Sequence, residues 1–150
     1  MNRPGLSLTV QYASSQKDLP TRMQFRRWVR AAQQHEMEIT LRVVDETEGR
    51  QLNQEFRGKD YATNVLTFVY GDEPPLYGDL VICAPVAEAE ALRQGRDRME
   101  HYAHLVIHGV LHLQGHDHEE DEAADAMEAR ETAIMMKLGY ADPYQGFLLK

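Results

Sequence analysis

The sequence is poor in cysteine and has no long apolar run. Among its 150 residues Cys83 is the only cysteine, which excludes an internal disulfide and a zinc site built from several thiolates. Cys83 lies in an apolar stretch and is predicted to be a buried residue that packs in the core. No apolar run approaches the roughly 20 residues of a transmembrane helix, and residues 1–9 resemble neither a secretory signal nor an organelle-targeting segment. These absences predict a cytoplasmic protein.

Basic residues are also scarce, since 16 Lys and Arg stand against 24 Asp and Glu, for a net charge of −8. Residues 1–60 hold ten basic and eight acidic residues, whereas residues 61–150 hold six and sixteen. Any contact with nucleic acid therefore needs a local basic patch rather than a global field. Arg22, Arg26 and Arg30, with Arg27 between them, form one such stripe. The stripe either contacts RNA phosphate or is the solvated side of an amphipathic helix.

Histidine is concentrated in one stretch, because six of the seven lie between His101 and His118. His108 and His112 are four residues apart, so on a helix their imidazoles project from one face and can share a metal ion. Gly115 follows three residues later, where a helix can end because glycine adopts the left-handed conformation without strain. The reversed chain can then bring His118 back to the ion. The sequence therefore predicts that His108, His112 and His118 bind zinc or a similar divalent ion.

The other polar residues of this stretch have more than one interpretation. His116 could replace His118 as the third ligand, although it follows directly on the predicted helix end. His101 and His104 either line the site or are ordinary solvated histidines. Asp117 either orients a ligand imidazole or is a turn residue.

Three neutral nitrogen ligands leave a fourth position open, which is typical of catalytic rather than structural zinc. The spacing H-x-x-x-H-x-x-G-x-x-H is the ligand spacing of the metzincin proteases, in which a glutamate follows the first histidine and acts as general base. Here Gly109 occupies that position. The spacing therefore predicts a hydrolase that lacks the base for peptide cleavage.

Hydrophobic periodicity predicts four strands and five helices in the order βαβαββααα. The strands are predicted at Leu6–Tyr12, Ile39–Val43, Val65–Tyr70 and Gly78–Cys83. The helices are predicted from Pro20 in a first turn, from the cap Asp45 to Phe56, and over Pro85–Gln94, Arg98–Gln114 and Glu120–Leu138. This order predicts one α+β domain over residues 1–150, a small mixed four-stranded sheet packed with helices. The apolar ligand helix is expected at its centre.

The histidine motif occurs together with several other segments, namely Phe56–Asp60, Thr63–Phe68, Gly78–Ile82 and the ending Leu138–Pro143. This combination resembles the YbeY family of bacterial endoribonucleases, and the similarity covers nearly the whole chain. The resemblance implies one zinc ion bound by His108, His112 and His118. It also implies that Arg57 corresponds to the family arginine thought to serve catalysis.

The same resemblance implies a biological role. It indicates single-strand-specific cleavage of RNA, maturation of the small-subunit ribosomal RNA 3′ end and ribosome quality control. The implied partners are ribosomal RNA, a small-subunit ribosomal protein and a ribosome-assembly GTPase, without membrane or DNA.

The residues and the resemblance agree in their chemistry. RNA carries its own nucleophile in the 2′-hydroxyl, so the missing base at Gly109 matters less than it would for a peptide. Arg57 would supply a planar, bidentate phosphate contact; its alternative role is a loop arginine paired with Asp60. Asp79 either supports the site from behind or caps a turn.

The hypothesis is a zinc-dependent endoribonuclease acting on ribosomal RNA. One alternative is a zinc hydrolase of another substrate, including a peptidase with an unrecognised base. The other is a ribosome-assembly factor whose zinc is structural.

Overall fold

The computed structural model describes residues 3–71, 73–115 and 121–144, with only the backbone of residue 121. The strands are Leu6–Ala13 (β1), Met37–Val44 (β2), Val65–Val69 (β3) and Leu76–Cys83 (β4). The helices are Arg22–Ala32 (α1), Glu46–Arg57 (α2), Ala84–Gln94 (α3), Arg98–Leu113 (α4) and Asp121–Lys137 (α5). This order confirms the predicted α+β fold. None of the described helices combines the length and apolar character that a membrane span requires.

The four strands form one mixed sheet in the order β1-β2-β4-β3. β1 and β2 are parallel, as are β2 and β4, whereas β3 is antiparallel to β4. Parallel neighbours need a crossover connection. Helix α1 forms this connection between β1 and β2, and α2 forms the first part of the connection between β2 and β4. The predicted mixed sheet is therefore confirmed, with β3 at one edge.

The two faces of the sheet bury different cores. On one face Ile39 and Leu80 pack in the main core, which includes side chains of α1, α4 and α5. On the other face Val81 and Cys83 form a smaller core on which Leu52 of α2 packs. Because side chains alternate along a strand, this arrangement places α4 and α2 on opposite faces of the sheet. It also confirms that Cys83 is buried, and burial raises the pKa of its thiol.

Two glycines allow α4 to lie directly on β4. A Cβ on Gly109 would be 2.1 Å from Cδ1 of Leu80, and a Cβ on Gly78 would be 2.6 Å from Cδ2 of Leu113. Most of α4 is buried, as its apolar composition predicts. The position after His108 therefore serves packing, which is a structural reason for glycine where the protease spacing has glutamate.

Helix α1 begins at Arg22, two residues after the Pro20 that the sequence analysis places in its first turn. Thr21 is the N-cap, with its hydroxyl accepting from the N–H of Gln24 and the Gln24 side chain accepting from the N–H of Thr21. Pro20 therefore precedes the helix instead of occupying its first turn, and its carbonyl accepts a hydrogen bond from the Tyr12 hydroxyl at 2.7 Å. The prediction was wrong because the reciprocal cap fixes the start.

Asp45 lies at the predicted start of α2 but does not cap the helix through its side chain. Its carboxylate instead accepts hydrogen bonds from the hydroxyl groups of Ser14 and Ser15, just after β1. This carboxylate therefore ties the ends of β1 and β2 together. Pro85 does lie in the first turn of α3, as predicted.

Candidate metal centre

Helix α4 presents a row of four histidines. His101, His104, His108 and His112 recur every three or four residues and so share one side of the helix. His101 and His104 are buried, whereas His108 and His112 are partly exposed. The ring centroids of His108 and His112 lie 4.7 Å apart. The structure thus brings these two predicted ligands together near the end of α4.

The end of α4 is held in place by its capping residues. Gly115 has a φ of 94°, which confirms the predicted helix stop. The Gln114 side chain donates to the carbonyl of Ala32 at 2.9 Å and accepts from the N–H of Gln34 at 2.6 Å. These bonds tie the turn after His112 to the segment between α1 and β2.

The third predicted ligand, His118, lies outside the described residues, as do His116 and Asp117. Among the described residues, no three His, Cys, Asp or Glu side chains are arranged to hold a metal ion. A cavity of about 210 Å³ opens beside His112, with His35 among its walls. The three-histidine site therefore stays a prediction, with two of its members placed.

A carboxylate that the sequence analysis missed lies behind His108. Glu131 of α5 is fully buried, and its Oε1 is 2.6 Å from Nδ1 of His108. The same oxygen is 3.3 Å from Nε2 of His104, outside hydrogen-bond geometry. The other oxygen accepts a hydrogen bond from the Tyr144 hydroxyl. Three neighbours therefore converge on one carboxylate.

Glu131 is ionised despite its burial. Burial would raise the pKa of its carboxyl, but the interactions with His104 and His108 outweigh burial and hold that pKa at about 2. Burial, together with this carboxylate, raises the pKa of the Tyr144 hydroxyl, which remains a donor. An ionised carboxylate only accepts hydrogen bonds, so Nδ1 of His108 must carry a proton.

This proton suits metal binding. With Nδ1 of His108 donating to Glu131, the neutral ring has its lone pair on Nε2, the nitrogen that would ligate the metal. A carboxylate behind a ligand histidine is a recurrent arrangement at zinc sites, where it fixes the ring orientation and tautomer. The donor set and this hydrogen bond therefore fit a zinc ion.

A second polar group extends the network along α4. The guanidinium of Arg96 contacts Nδ1 of His101 at 3.2 Å and Nδ1 of His104 at 3.4 Å. Because a guanidinium only donates, both rings must carry their proton on Nε2. His101 accordingly donates from Nε2 to Glu90 at 2.9 Å, and Nε2 of His104 faces Glu131. The solvated alternative for His101 and His104 is therefore wrong, because both side chains are buried.

Arg57 is exposed at the end of α2, before Gly58, whose φ of 71° ends the helix. Asp60 pairs with Arg50 through bonds of 2.8 and 3.0 Å, so its pairing with Arg57 is not observed. No described contact joins Arg57 to the histidines of α4. Since α2 and α4 pack on opposite faces of the sheet, the structure does not place these predicted site residues in one cluster.

Asp79 lies inside β4, which begins at Leu76, so its interpretation as a turn cap is wrong. Its carboxylate accepts a hydrogen bond from the Tyr70 hydroxyl at 2.6 Å. Its neighbours Gly78 and Leu80 face α4, so Asp79 points to the opposite side. It makes no described contact with the histidines.

One sequence signal could have revealed Glu131. It lies four residues after Met127 and four before Met135, and both methionines are fully buried in the core. An acidic residue on the apolar side of a helix requires a partner. Arg96 and Tyr144 carry no such signal, because a helix end and a tail segment are ordinary places for polar residues.

Comparison with known proteins identifies the family. The sequence model described as endoribonuclease YbeY matches residues 10–139. The chain belongs to the endoribonuclease YbeY family. Its YbeY relatives include that of Nitrosomonas europaea, 58% identical, covering 93% of this chain and 85% of the relative. That of Nitrosospira multiformis is 56% identical, with 96% and 84% covered.

A solved structure supports the fold of this YbeY family member. The solution structure of TM1509 from Thermotoga maritima matches with a TM-score of 0.62 at 27% identity. The match covers 87% of this chain and 88% of that protein.

Proposed function

We propose that the protein is a zinc-dependent, single-strand-specific endoribonuclease that matures the 3′ end of small-subunit ribosomal RNA and acts in ribosome quality control. Membership of the endoribonuclease YbeY family makes it a hydrolase of RNA phosphodiester bonds. The metal part of the proposal is carried by one observation, the bond from Nδ1 of His108 to the buried Glu131 carboxylate.

His108 and His112 would hold the ion from neighbouring turns, and His118 would complete the ligand set. When bound, zinc supplies a Lewis acid that polarises a phosphoryl oxygen and favours the nucleophile. Glu131 keeps the His108 ring in one orientation with its proton on Nδ1. Because Gly109 packs against Leu80, the chain offers no carboxylate base at that position. The RNA 2′-hydroxyl is therefore the nucleophile that this site suits best.

Arg57 would bind the phosphate through two parallel N–H bonds. Because α2 and α4 lie on opposite faces of the sheet, an RNA strand that meets both Arg57 and the histidines must pass around the border of the sheet. A single strand can follow such a path, whereas duplex nucleic acid resists sharp bending. The position of Arg57 supports a preference for single strands.

Further parts of the proposal rest on the family resemblance. They are a single hydrolase domain over residues 1–150, a cytoplasmic location, and contacts with a small-subunit ribosomal protein and a ribosome-assembly GTPase.

The test is cleavage of a labelled single-stranded RNA spanning the small-subunit 3′ end by wild type and by His112→Ala, purified identically. We expect His112→Ala to keep its circular dichroism spectrum but to lose bound zinc. Changing a residue that hydrogen-bonds to a metal ligand typically lowers activity by roughly 10–100-fold. Because His112 is itself a predicted ligand, the activity of His112→Ala should fall by more than this. Chelation of the wild type should abolish cleavage, and added zinc should restore it. Equal cleavage by both proteins would reveal a contaminating nuclease, and an unfolded variant would assign the zinc a structural role.

A further inference from the structure

A large groove lies between α1, α5 and the segment before β1. Its volume is about 870 Å³, and its described lining includes five cationic residues and no Asp or Glu. These cations are Arg3, Arg26, Arg27, Arg30 and Lys137. In a chain with net charge −8, such a cluster is a local exception. We call it the basic groove.

The charges of the basic groove are not neutralised by described carboxylates. Elsewhere Arg42 pairs with Glu48, Arg50 with Asp60 and Arg98 with Glu88, whereas no described ion pair includes any of the five groove cations. A bound anion would reduce the repulsion between these like charges.

The groove arginines sit on a fixed scaffold. Arg26 and Arg30 are four residues apart on α1, so their side chains are neighbours on the helix surface. Arg30 donates to the carbonyl of Pro4 at 2.6 Å and to Oε1 of Gln33 at 3.0 Å. Burial, followed by repulsion from Arg26 and Arg3, lowers the pKa of Arg30. The cations are therefore held close together by the fold.

The groove is connected to the metal centre through α5. Lys137, the last residue of α5, lines the groove six residues after Glu131, roughly 9 Å along the helix at 1.5 Å per residue. A strand of a few nucleotides can span such a distance. Arginine suits phosphate through its planar fork of donors. The described lining contains no aromatic ring, so it offers no platform for stacking bases.

We infer that the basic groove binds the sugar–phosphate backbone of the RNA substrate, outside the cleaved bond and without regard to sequence. This inference rests on the proposed function, because the choice of RNA over an acidic protein follows from it. The groove would supply affinity that the acidic chain otherwise lacks, and it would do so through a salt-dependent contact.

The experiment measures binding of a fluorescent 2′-O-methyl oligonucleotide of about 12 nucleotides, which lacks the 2′-hydroxyl nucleophile. Wild type, Arg26→Gln/Arg27→Gln and the control Lys17→Gln/Arg93→Gln are titrated between about 50 and about 200 mM salt. Both double variants replace exposed cations and change the net charge equally. Glutamine is a good helix former, so α1 should persist.

We expect the slope of log affinity against log salt, which is negative, to fall in magnitude by about 1.4 in the groove variant, at about 0.7 for each lost single-strand phosphate contact. The control should keep the wild-type slope. Equal slopes in all three proteins would overturn the inference. If the groove variant kept the wild-type slope with the oligonucleotide but lost binding to polyglutamate, the groove would be assigned to an acidic protein instead. Because the oligonucleotide is not cleaved, failure of the proposed nuclease activity would leave this result intact.

Discussion

The predicted site residues on the two faces of the sheet lie in different environments. On the α4 face, His108 is held by the fully buried Glu131. On the α2 face, Arg57 ends its helix exposed to solvent. A metal ligand gains affinity when its ring is oriented before the ion arrives, whereas an exposed arginine loses side-chain freedom only when it binds. Under the proposed function, the α4 face would be pre-organised for metal, and Arg57 would be ordered by substrate.

The largest expected effect is a loss of RNA cleavage that leaves the α4 face unchanged. Arg57→Ala should lower kcat for RNA cleavage by about 10²–10³-fold, the usual cost of removing one donor to a transition-state oxygen. Zinc content and melting temperature should stay at wild-type values, because Arg57 is exposed and makes no described contact with the histidines. Single-turnover cleavage, metal analysis and thermal unfolding check the three expectations.

Two variants sharpen this result. Arg57→Lys keeps the charge but not the planar fork, so it should recover only part of the activity. Lys59→Ala removes a cation two residues away and should affect KM more than kcat. A loss of bound zinc in Arg57→Ala would contradict the separation of the two faces.

The second effect concerns the α4 face. Glu131→Gln should weaken zinc affinity by about 10–100-fold, because the amide cannot accept from every donor that now meets the carboxylate. Competition with a chromophoric chelator measures this without recourse to activity. The matched control is Glu128→Gln, an exposed change on the same helix. Equal affinities of Glu131→Gln and wild type would show that the carboxylate does not orient His108.

The third effect tests how tightly α4, the helix that carries His108 and His112, lies on the sheet. Gly109→Ala should lower the free energy of unfolding by about 1 kcal/mol, since overpacking costs about 1–3 kcal/mol and the gain in helix propensity returns about 1. Gly71→Ala, where a Cβ would meet nothing within 4 Å, should stay within about 0.5 kcal/mol of wild type. Chemical denaturation measures both. A neutral Gly109→Ala would mean that Leu80 moves aside easily.

The sequence allowed accurate prediction where local geometry decides. The spacing of His108 and His112 follows from 3.6 residues per turn, and Gly115 ends α4 because its conformation favours glycine. Glu131 escaped prediction because it reaches His108 through the packing of α5 on α4, which no local spacing encodes.

The suggested pairing of Arg57 with Asp60 was wrong for a related reason. Asp60 is three residues from Arg57, which suggested a pair. However, Gly58 turns the chain in the left-handed conformation, and the carboxylate meets Arg50, which lies seven residues or about two turns before Arg57 on α2. Loop pairings of this kind depend on backbone direction after the helix. Composition and spacing do not determine that direction.

The fourth effect, similar in size to the third, tests whether the Glu131 carboxylate or its neighbour Tyr144 positions the predicted ligand His108. Tyr144→Phe removes one donor to Glu131 and should lower the free energy of unfolding by about 1 kcal/mol. Zinc affinity should fall by less than in Glu131→Gln, because the bond between Glu131 and His108 remains. Tyr140→Phe, a partly buried tyrosine against the same core, is the control. If Tyr144→Phe weakened zinc binding as much as Glu131→Gln, the hydroxyl would be as necessary as the carboxylate. The metal face of the protein would then extend into the segment after α5.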